Sequence, residues 1–416
     1  MDKNVLNKLI FYTVISLQLV FLSCMETNTG AEQSKDEIET DSIEFWLAQK
    51  NSSSEENYLN NLSKAFNLTL KENNDSLKSK QFSKISYYYS LVGDSLQFRR
   101  ANKMALTLSE KIKDSNALAN NYWDLAFFLE DNAAEDSAYY NYSQAAKIFK
   151  TLNNDFSAAR ILYGMATVQA NVKDYTGSEV TTIEALELFK PLDKPYYLFL
   201  CYNNLGSVTN AINEYEKALE YYEKALFYLE KSGTDNSNIL RLTAINNIGK
   251  VYQGNGQYKK ALDAFEKVLA TDSIYYKDTQ LYSQALSNYA QSKNKMGDTI
   301  GVLQSFKKVL RIKDSINDTR GLALTHYEIS KYYLGIKDTA MALQYAQNSK
   351  TISEQTSNNL RLLESLELMA KLDPTHSSLY TQEYIKLNDS LIRDERATRN
   401  KFTRIRFETD EFIEQN

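Results

Sequence analysis

Helix breakers are nearly missing from this sequence: three prolines and 13 glycines in 416 residues. With 43 % apolar residues and no long β-branched alternation, that scarcity excludes a loop-rich or sheet-built chain and predicts an all-α protein. Pro191, Pro195 and Pro374 fall where helix ends are expected. Histidine is also scarce. His326 and His376 stand fifty residues apart, and neither has a Cys, Glu or His at ligand spacing, so no zinc site is expected. No G-x-S-x-G elbow supports a hydrolase triad. Gly254-Asn255-Gly256 lacks both the third glycine and the preceding strand of a phosphate loop, and reads as a turn between helices. Acidic residues scatter along helix faces as a solvated surface. No catalytic constellation is found, no cofactor or metal is implied, and the expectation is a protein that is not an enzyme. The net charge of −5 gives no sign of nucleic-acid binding.

Cysteine occurs twice, at Cys24 and Cys201. The first closes an N-terminal segment with Lys3, Lys8 and an apolar run from Leu9 to Leu22 broken by Ser16 and Gln18. Such a run is short for a membrane span and suits a signal peptide. Its ending, Phe21-Leu22-Ser23-Cys24, resembles a bacterial lipoprotein lipobox, with Phe21 where Leu is usual. The resemblance implies cleavage before Cys24 and lipidation of that residue. Cys201 would then have no partner for an intramolecular disulfide, so stability must come from packing. Residues 25–41 are polar, lack apolar periodicity and read as a flexible tether. The expected organisation is a signal peptide over 1–23, a lipidated tether over 24–41, a repeat array over 42–376 and a long helix over 377–416.

The repeat is the strongest signal. Small residues recur at Ser86, Ala126, Ala166, Gly206, Gly249, Ala290 and Ser330, at intervals of 40 to 43. Twelve positions beyond each lies a second series: Phe98, Ala138, Ser178, Ala218, Ala261, Val302 and Ala342. Seven further on comes a third: Ala105, Ala145, Ala185, Ala225, Val268, Val309 and Ser349. A period of this size means a helical solenoid. Antiparallel helices approach closely only where side chains are small, so these positions should be crossings, with aromatics filling the flanking gaps. Trp46, Tyr58, Leu62 and Ala65 are in phase with a degenerate first repeat, and residues 360–372 make a last first-helix.

Leu205, Gly206, Tyr215, Ala218, Tyr222 and Ala225 resemble the tetratricopeptide pattern, as do Ile248, Gly249, Tyr252, Tyr258, Ala261 and Phe265. The resemblance implies a right-handed solenoid of antiparallel helix pairs whose first helices line a concave groove. The period near 40 departs from the usual 34 or so and lengthens the helices.

Under that reading the groove carries a ladder of amides. Asn204, Asn247 and Asn288 lie two positions before successive small residues. Ser207, Lys250, Gln291 and Lys331 lie one position after. Asn203 and Asn246 flank the first pair, and Gln253 and Asn294 lie one turn further on. A carboxamide both donates and accepts, so it can hold a peptide backbone without reading side chains. In the family an Asn at the position of Asn204, Asn247 and Asn288 often does so. Lys250 and Lys331 would favour an acidic group or a terminal carboxylate. The plainer alternative is that these amides are repeat grammar, exposed and idle. Trp123 and Tyr163 are better read as core than as groove.

The last residues crowd Arg393, Arg396, Arg399, Lys401, Arg404 and Arg406 beside an apolar stripe of Phe402, Ile405 and Phe412. By physics this is a basic amphipathic helix suited to an anionic surface or a partner helix, or else a helix end whose arginines pair with Glu408 and Asp410. The stretch resembles the segment before the membrane span in Bacteroidota tetratricopeptide/helix-turn-helix regulators. No apolar run follows it in this sequence, so signalling to DNA by this chain is not expected. The function expected is a lipid-anchored, periplasm-facing, non-catalytic scaffold, on the outer membrane rather than the inner. It would bind a protein or peptide as adaptor or sensory input, with a downstream membrane or regulator partner reached through the C-terminal helix. The alternatives are a structural subunit of an outer-membrane assembly or transport complex, and a glycan-binding lipoprotein.

Overall fold

The computed structural model describes residues 43–48, 55–235 and 237–415. The expected signal peptide, the lipidation site Cys24 and the tether lie outside them. The described residues form helices and turns, with no strand among them.

The chain divides into two compact units. Of the described residues, the N-terminal unit holds 43–193 and 398–415. It contains α1 (Ile43–Ala48), α2 (Glu55–Lys71), α3 (Asp75–Leu91), α4 (Ser95–Lys111), α5 (Ser115–Asp131), α6 (Glu135–Thr151), α7 (Asp155–Asn171) and α8 (Tyr175–Phe189). The C-terminal unit, Lys194–Ala397, holds α9 (Pro195–Ala211), α10 (Tyr215–Ser232), α11 (Ser237–Gly254), α12 (Tyr258–Leu269), the short α13 (Ile274–Lys277), α14 (Thr279–Lys295), α15 (Val302–Ser315), α16 (Thr319–Gly335), α17 (Thr339–Gln355) and α18 (Asn359–Leu372). The 39-residue α19 (Ser377–Gln415) begins in the C-terminal unit, and its last part belongs to the N-terminal one. The unit divisions thus fall at 193/194 and 397/398, within the expected array and within the final helix.

The period of 40 has a local cause. Helices α2 to α7 are each 17 residues long. Residues with positive φ recur every 20 positions, at Gly93, Lys113, Ala133, Asn153, Lys173, Asp193, Asn213 and Gly233. The turn after α4 shows the mechanism. The Lys113 N–H donates to the Glu110 carbonyl at 3.1 Å and the Asp114 N–H to the Ser109 carbonyl at 2.9 Å, which closes one helix in a Schellman motif. The Asp114 carboxylate then accepts from the Ala117 N–H at 2.9 Å and caps the next helix. One residue ends a helix and begins another. Asp94, Asn154, Asp174, Asp318, Asp338 and Asn358 cap their helices in the same way. Such a cap is worth about 1 kcal/mol, comparable to the cost of the left-handed conformation forced on Lys113.

Within each unit, consecutive long helices pair antiparallel at the small residues. Every member of the three series is buried. A Cβ on Gly206 would lie 2.9 Å from ring atoms of Tyr222, and one on Gly249 would lie 2.5 Å from Cε1 of Phe265. These aromatics fill the space the glycines leave. At Ser178, Ser330 and Ser349 the hydroxyl bonds across to the paired helix, whereas that of Ser86 bonds to Ser83 in its own helix. Ser178 Oγ donates to the Ala166 carbonyl at 2.7 Å, and Ser330 Oγ to the Ala342 carbonyl at 2.6 Å.

The prolines stand at helix ends: Pro195 opens α9, Pro191 lies past the end of α8, and Pro374 follows α18. Tyr58, Leu62 and Ala65 are buried on α2, and Trp46 is on α1.

The C-terminal stripe is not left open for a partner or a membrane. Phe402 is 1 % exposed and stacks on Tyr139 of α6 at a centroid distance of 4.1 Å. Ile405 and Thr409 are buried beside it. Lys401 pairs with Asp136 at 2.6 Å, and Arg406 with Glu184 of α8. The apolar face of a basic amphipathic helix is satisfied inside the N-terminal unit, which corrects the expectation of a free docking helix. Phe412 keeps an exposed face, with Lys147 over its ring at 5.4 Å. Arg393, Arg396, Arg399 and Arg404 are exposed. Among the described residues, no helix is long and apolar enough to cross a membrane.

Candidate functional site

The amides expected to form a ladder all lie in the C-terminal unit, on the face where its first helices α9, α11 and α14 meet. Their arrangement is staggered. The carboxamide of Asn288 on α14 donates to Oδ1 of Asn246 on α11 at 3.2 Å. Gln253 Nε2, two turns along α11, donates to the Asn288 carbonyl at 3.1 Å and to Ser292 Oγ at 2.9 Å. A residue three before one crossing therefore meets a residue two before the next, so Asn288 faces Asn246 and not Asn247. The N-terminal unit repeats this stagger between Ser83 and Asp124.

The stagger sorts the expected site residues. Asn246 is 2 % exposed, and Asn204 is also buried. Asn246, Gln253 and Asn288 spend hydrogen-bonding capacity on joining repeats. Asn203 is partly buried, with its Oδ1 enclosed and unbonded among the described residues. Ser207 is exposed and hydrogen-bonds the Tyr222 hydroxyl. Gln291 Nε2 donates to Ser287 Oγ at 3.1 Å. Lys331 pairs with Glu328 at 2.7 Å and lies over the Tyr327 ring, so its charge is already matched.

Asn247, Lys250 and Asn294 remain. None makes a side-chain hydrogen bond or ion pair among the described residues. Asn247 and Lys250 stand three apart on α11 and share a face. Lys250 is exposed to solvent, yet surrounding protein desolvates it and lowers its pKa from the ordinary lysine value. Exposure decides whether a ligand reaches the ammonium; the crowding around it sets the pKa.

The residues considered for chemistry are dispersed. His326 packs on Tyr345, and burial lowers its pKa. His376 Nδ1 lies 2.8 Å from Asp373 in an exposed pair. Cys201 is fully buried, and burial pushes its thiol up. Among the described residues no group of three His, Cys, Asp or Glu is arranged to hold a metal. Gly254 ends α11 and Gly256 has φ +72°, so Gly254-Asn255-Gly256 is the inter-helix turn.

The N-terminal unit carries two carboxyls that the sequence reading passed over. Burial pushes Asp124 up to about 7, opposed by a 3.5 Å hydrogen bond from Ser83. Burial also raises Glu130, opposed by bonds from the Tyr142 hydroxyl at 2.7 Å and Thr167 at 2.8 Å, and reinforced by Asp131 and Glu135. Both lie on α5. Their only sequence signal is register: Asp124 occupies the position of Asn204 and Asn247 in its own repeat. A surface cavity of about 490 Å³ lies between α1, α2 and α3, lined by Leu68, Leu77 and Lys80 among others. Glu44 and Lys84 on its wall are paired with each other.

Comparison with known proteins agrees with this architecture. Residues 199–226 and 240–315 each match a tetratricopeptide repeat model. No curated protein matches the sequence. Among solved structures, a Rap protein complexed with Competence and Sporulation Factor aligns at TM-score 0.59 and 16 % identity, over 84 % of this chain and 98 % of its own. The apo form of the quorum sensor NprR from B. thuringiensis aligns at 0.55 and 15 %, over 84 % and 97 %. Aspartyl phosphate phosphatase F from Bacillus subtilis aligns at 0.54 and 16 %, over 89 % and 96 %. At these identities the likeness is one of fold. With buried small-residue crossings in both units, the chain is a helical-repeat protein that carries tetratricopeptide repeats.

Proposed function

We propose that this chain is a non-catalytic scaffold that binds a protein or peptide on the first-helix face of its C-terminal unit. One observation carries the reading. The segment matching tetratricopeptide models, between 199 and 315, is the one whose first helices present Asn247, Lys250 and Asn294 without internal partners. Amides there can bond an extended backbone, and Lys250 supplies a partly desolvated cation for an acidic side chain or terminal carboxylate. Similar folds solved with a bound factor or peptide support this reading: the Rap protein with Competence and Sporulation Factor and the Rap conjugation regulator with the Phr* peptide. Lipidation at Cys24, a periplasm-facing position in the cell envelope and a role as adaptor or sensory input complete the proposal, on the strength of the lipobox resemblance.

The test is affinity capture from envelope extracts, comparing the native chain with Asn247→Ala/Lys250→Ala. Loss of the same captured partner, with helix content retained by circular dichroism, is the expected result. Undiminished capture would remove this face from the account. Hydrolysis of acetyl phosphate by the purified chain would overturn the non-catalytic part.

A further inference from the structure

The register that places Asn247 on the C-terminal face places a different chemistry in the N-terminal unit. Three repeats carry a charge at that position: Lys84, Asp124 and Glu328. Lys84 is paired with Glu44, and Glu328 with Lys331 at 2.7 Å. Asp124 has no counter-ion among the described residues; its one bond is the long contact from Ser83. On the following first helix, α7, Arg160 lies against aromatic rings. The Arg160 guanidinium lies over Trp123 at 4.2 Å and near Phe156 at 5.5 Å, and no cation contributes to the environment of the Asp124 carboxyl. Asp124 nevertheless keeps a partly open surface. One turn along α5 and on the same face, Phe127 is 39 % exposed. A desolvated carboxylate without a cation costs stability, and an aromatic beside it gains nothing by facing water. A cationic ligand group relieves both, through a charge-assisted hydrogen bond and a cation–π contact.

We propose that Asp124 anchors a cation subsite on the first-helix face of the N-terminal unit, taking the ammonium or guanidinium of a peptide's Lys, Arg or amino terminus, with Phe127 as its aromatic wall. The proposal rests on the peptide-binding reading above but concerns a separate unit.

Trp123, adjacent to Asp124, reports on the subsite once Trp46, the only other tryptophan, is replaced by Phe. In that Trp46→Phe background the probe is acetyl-hexaarginine amide, titrated at 0.15 M salt (about an 8 Å Debye length) against Trp123 emission. Saturable binding is expected, at least tenfold weaker in Asp124→Asn and at least threefold weaker in Phe127→Ala. Glu220→Gln, which removes an exposed charge on α10, should change binding less than twofold. A Trp123 signal that never saturates overturns the subsite. Equal losses in Asp124→Asn and Glu220→Gln overturn it too, because attraction would then be to net charge alone. Phe127 is exposed, so its variant retains the fold and keeps the test decisive. The Asn247→Ala/Lys250→Ala capture experiment addresses the other unit with a natural partner, so either proposal can fail while the other stands.

Discussion

Replacing Gly249 with alanine probes the physical basis of the repeat. In an open helix the change should stabilise by about 1 kcal/mol, since glycine is that much poorer a helix former. Gly335, at the end of α16 with nothing within 4 Å of an added Cβ, provides that reference, damped by its terminal position. At Gly249 the new Cβ would lie 2.5 Å from Cε1 and 2.9 Å from Cδ1 of Phe265, a ring that is itself fully buried. Something must move, and overpacking of this kind costs roughly 1–3 kcal/mol. Subtracting the helix-propensity gain leaves Gly249→Ala destabilising by about 1 kcal/mol, against a gain of up to about 1 for Gly335→Ala. The assay is the urea midpoint by circular dichroism. Midpoint shifts are compared directly, because a chain of two compact units need not unfold in one step. The cycle is completed with Phe265→Leu, in whose background Gly249→Ala should become neutral or stabilising. If Gly249→Ala stabilises as much as Gly335→Ala does in the native background, the close crossing is not a constraint and the packing argument fails.

Other expectations follow from particular groups. Asp124 has a raised folded-state pKa, so its contribution is intact below its unfolded value and is lost as pH rises through about 7. Asp124→Asn should therefore be more stable than the native chain at pH 8 and nearly equal at pH 4, by less than the ~4 kcal/mol of the full shift because the side chain keeps solvent access. An unchanged difference between the two pH values in thermal melts would count against the desolvation argument. Phe402→Ala removes a buried ring stacked on Tyr139 and should cost about 3–5 kcal/mol, read as faster hydrogen exchange in α6 and the last part of α19. Cys201 should resist thiol reagents in the native chain and react fully in denaturant, since burial disfavours the thiolate. Rapid native labelling would show that α9 opens.

The helical array was legible because packing imposes its own period on composition. Ala126, Gly249 and Ser330 differ chemically yet occupy one kind of crossing, and smallness alone marked them. A second signal was present and went unread. An Asp or Asn stands at the helix-capping position at 94, 114, 154 and 174, spaced in multiples of 20, because one residue both closes and opens a helix. That spacing reports single helices where the small residues report pairs. The amide positions were legible as a set, but their roles were not. Whether Asn288 faces Asn246 or Asn247 depends on how far α14 slides along α11, a displacement that no residue count records. The Asp124 carboxyl was invisible for a related reason: desolvation is a property of what surrounds a group, and nothing beside it in sequence foretells it.

Local rules acting within some 40 residues determined the helices, their lengths, their caps and the small-residue crossings, since each depends on backbone hydrogen bonding and side-chain size close along the chain. Tertiary structure decided what becomes of the surfaces those helices present. The basic, amphipathic tail had the character of a helix seeking a partner. Only the fold set Phe402 against Tyr139 and Lys401 against Asp136, 265 residues away, because contacts so distant in sequence are selected by the geometry of the whole unit. The same geometry consumed Asn246, Gln253 and Asn288 in joining repeats and left Asn247 and Lys250 unpaired.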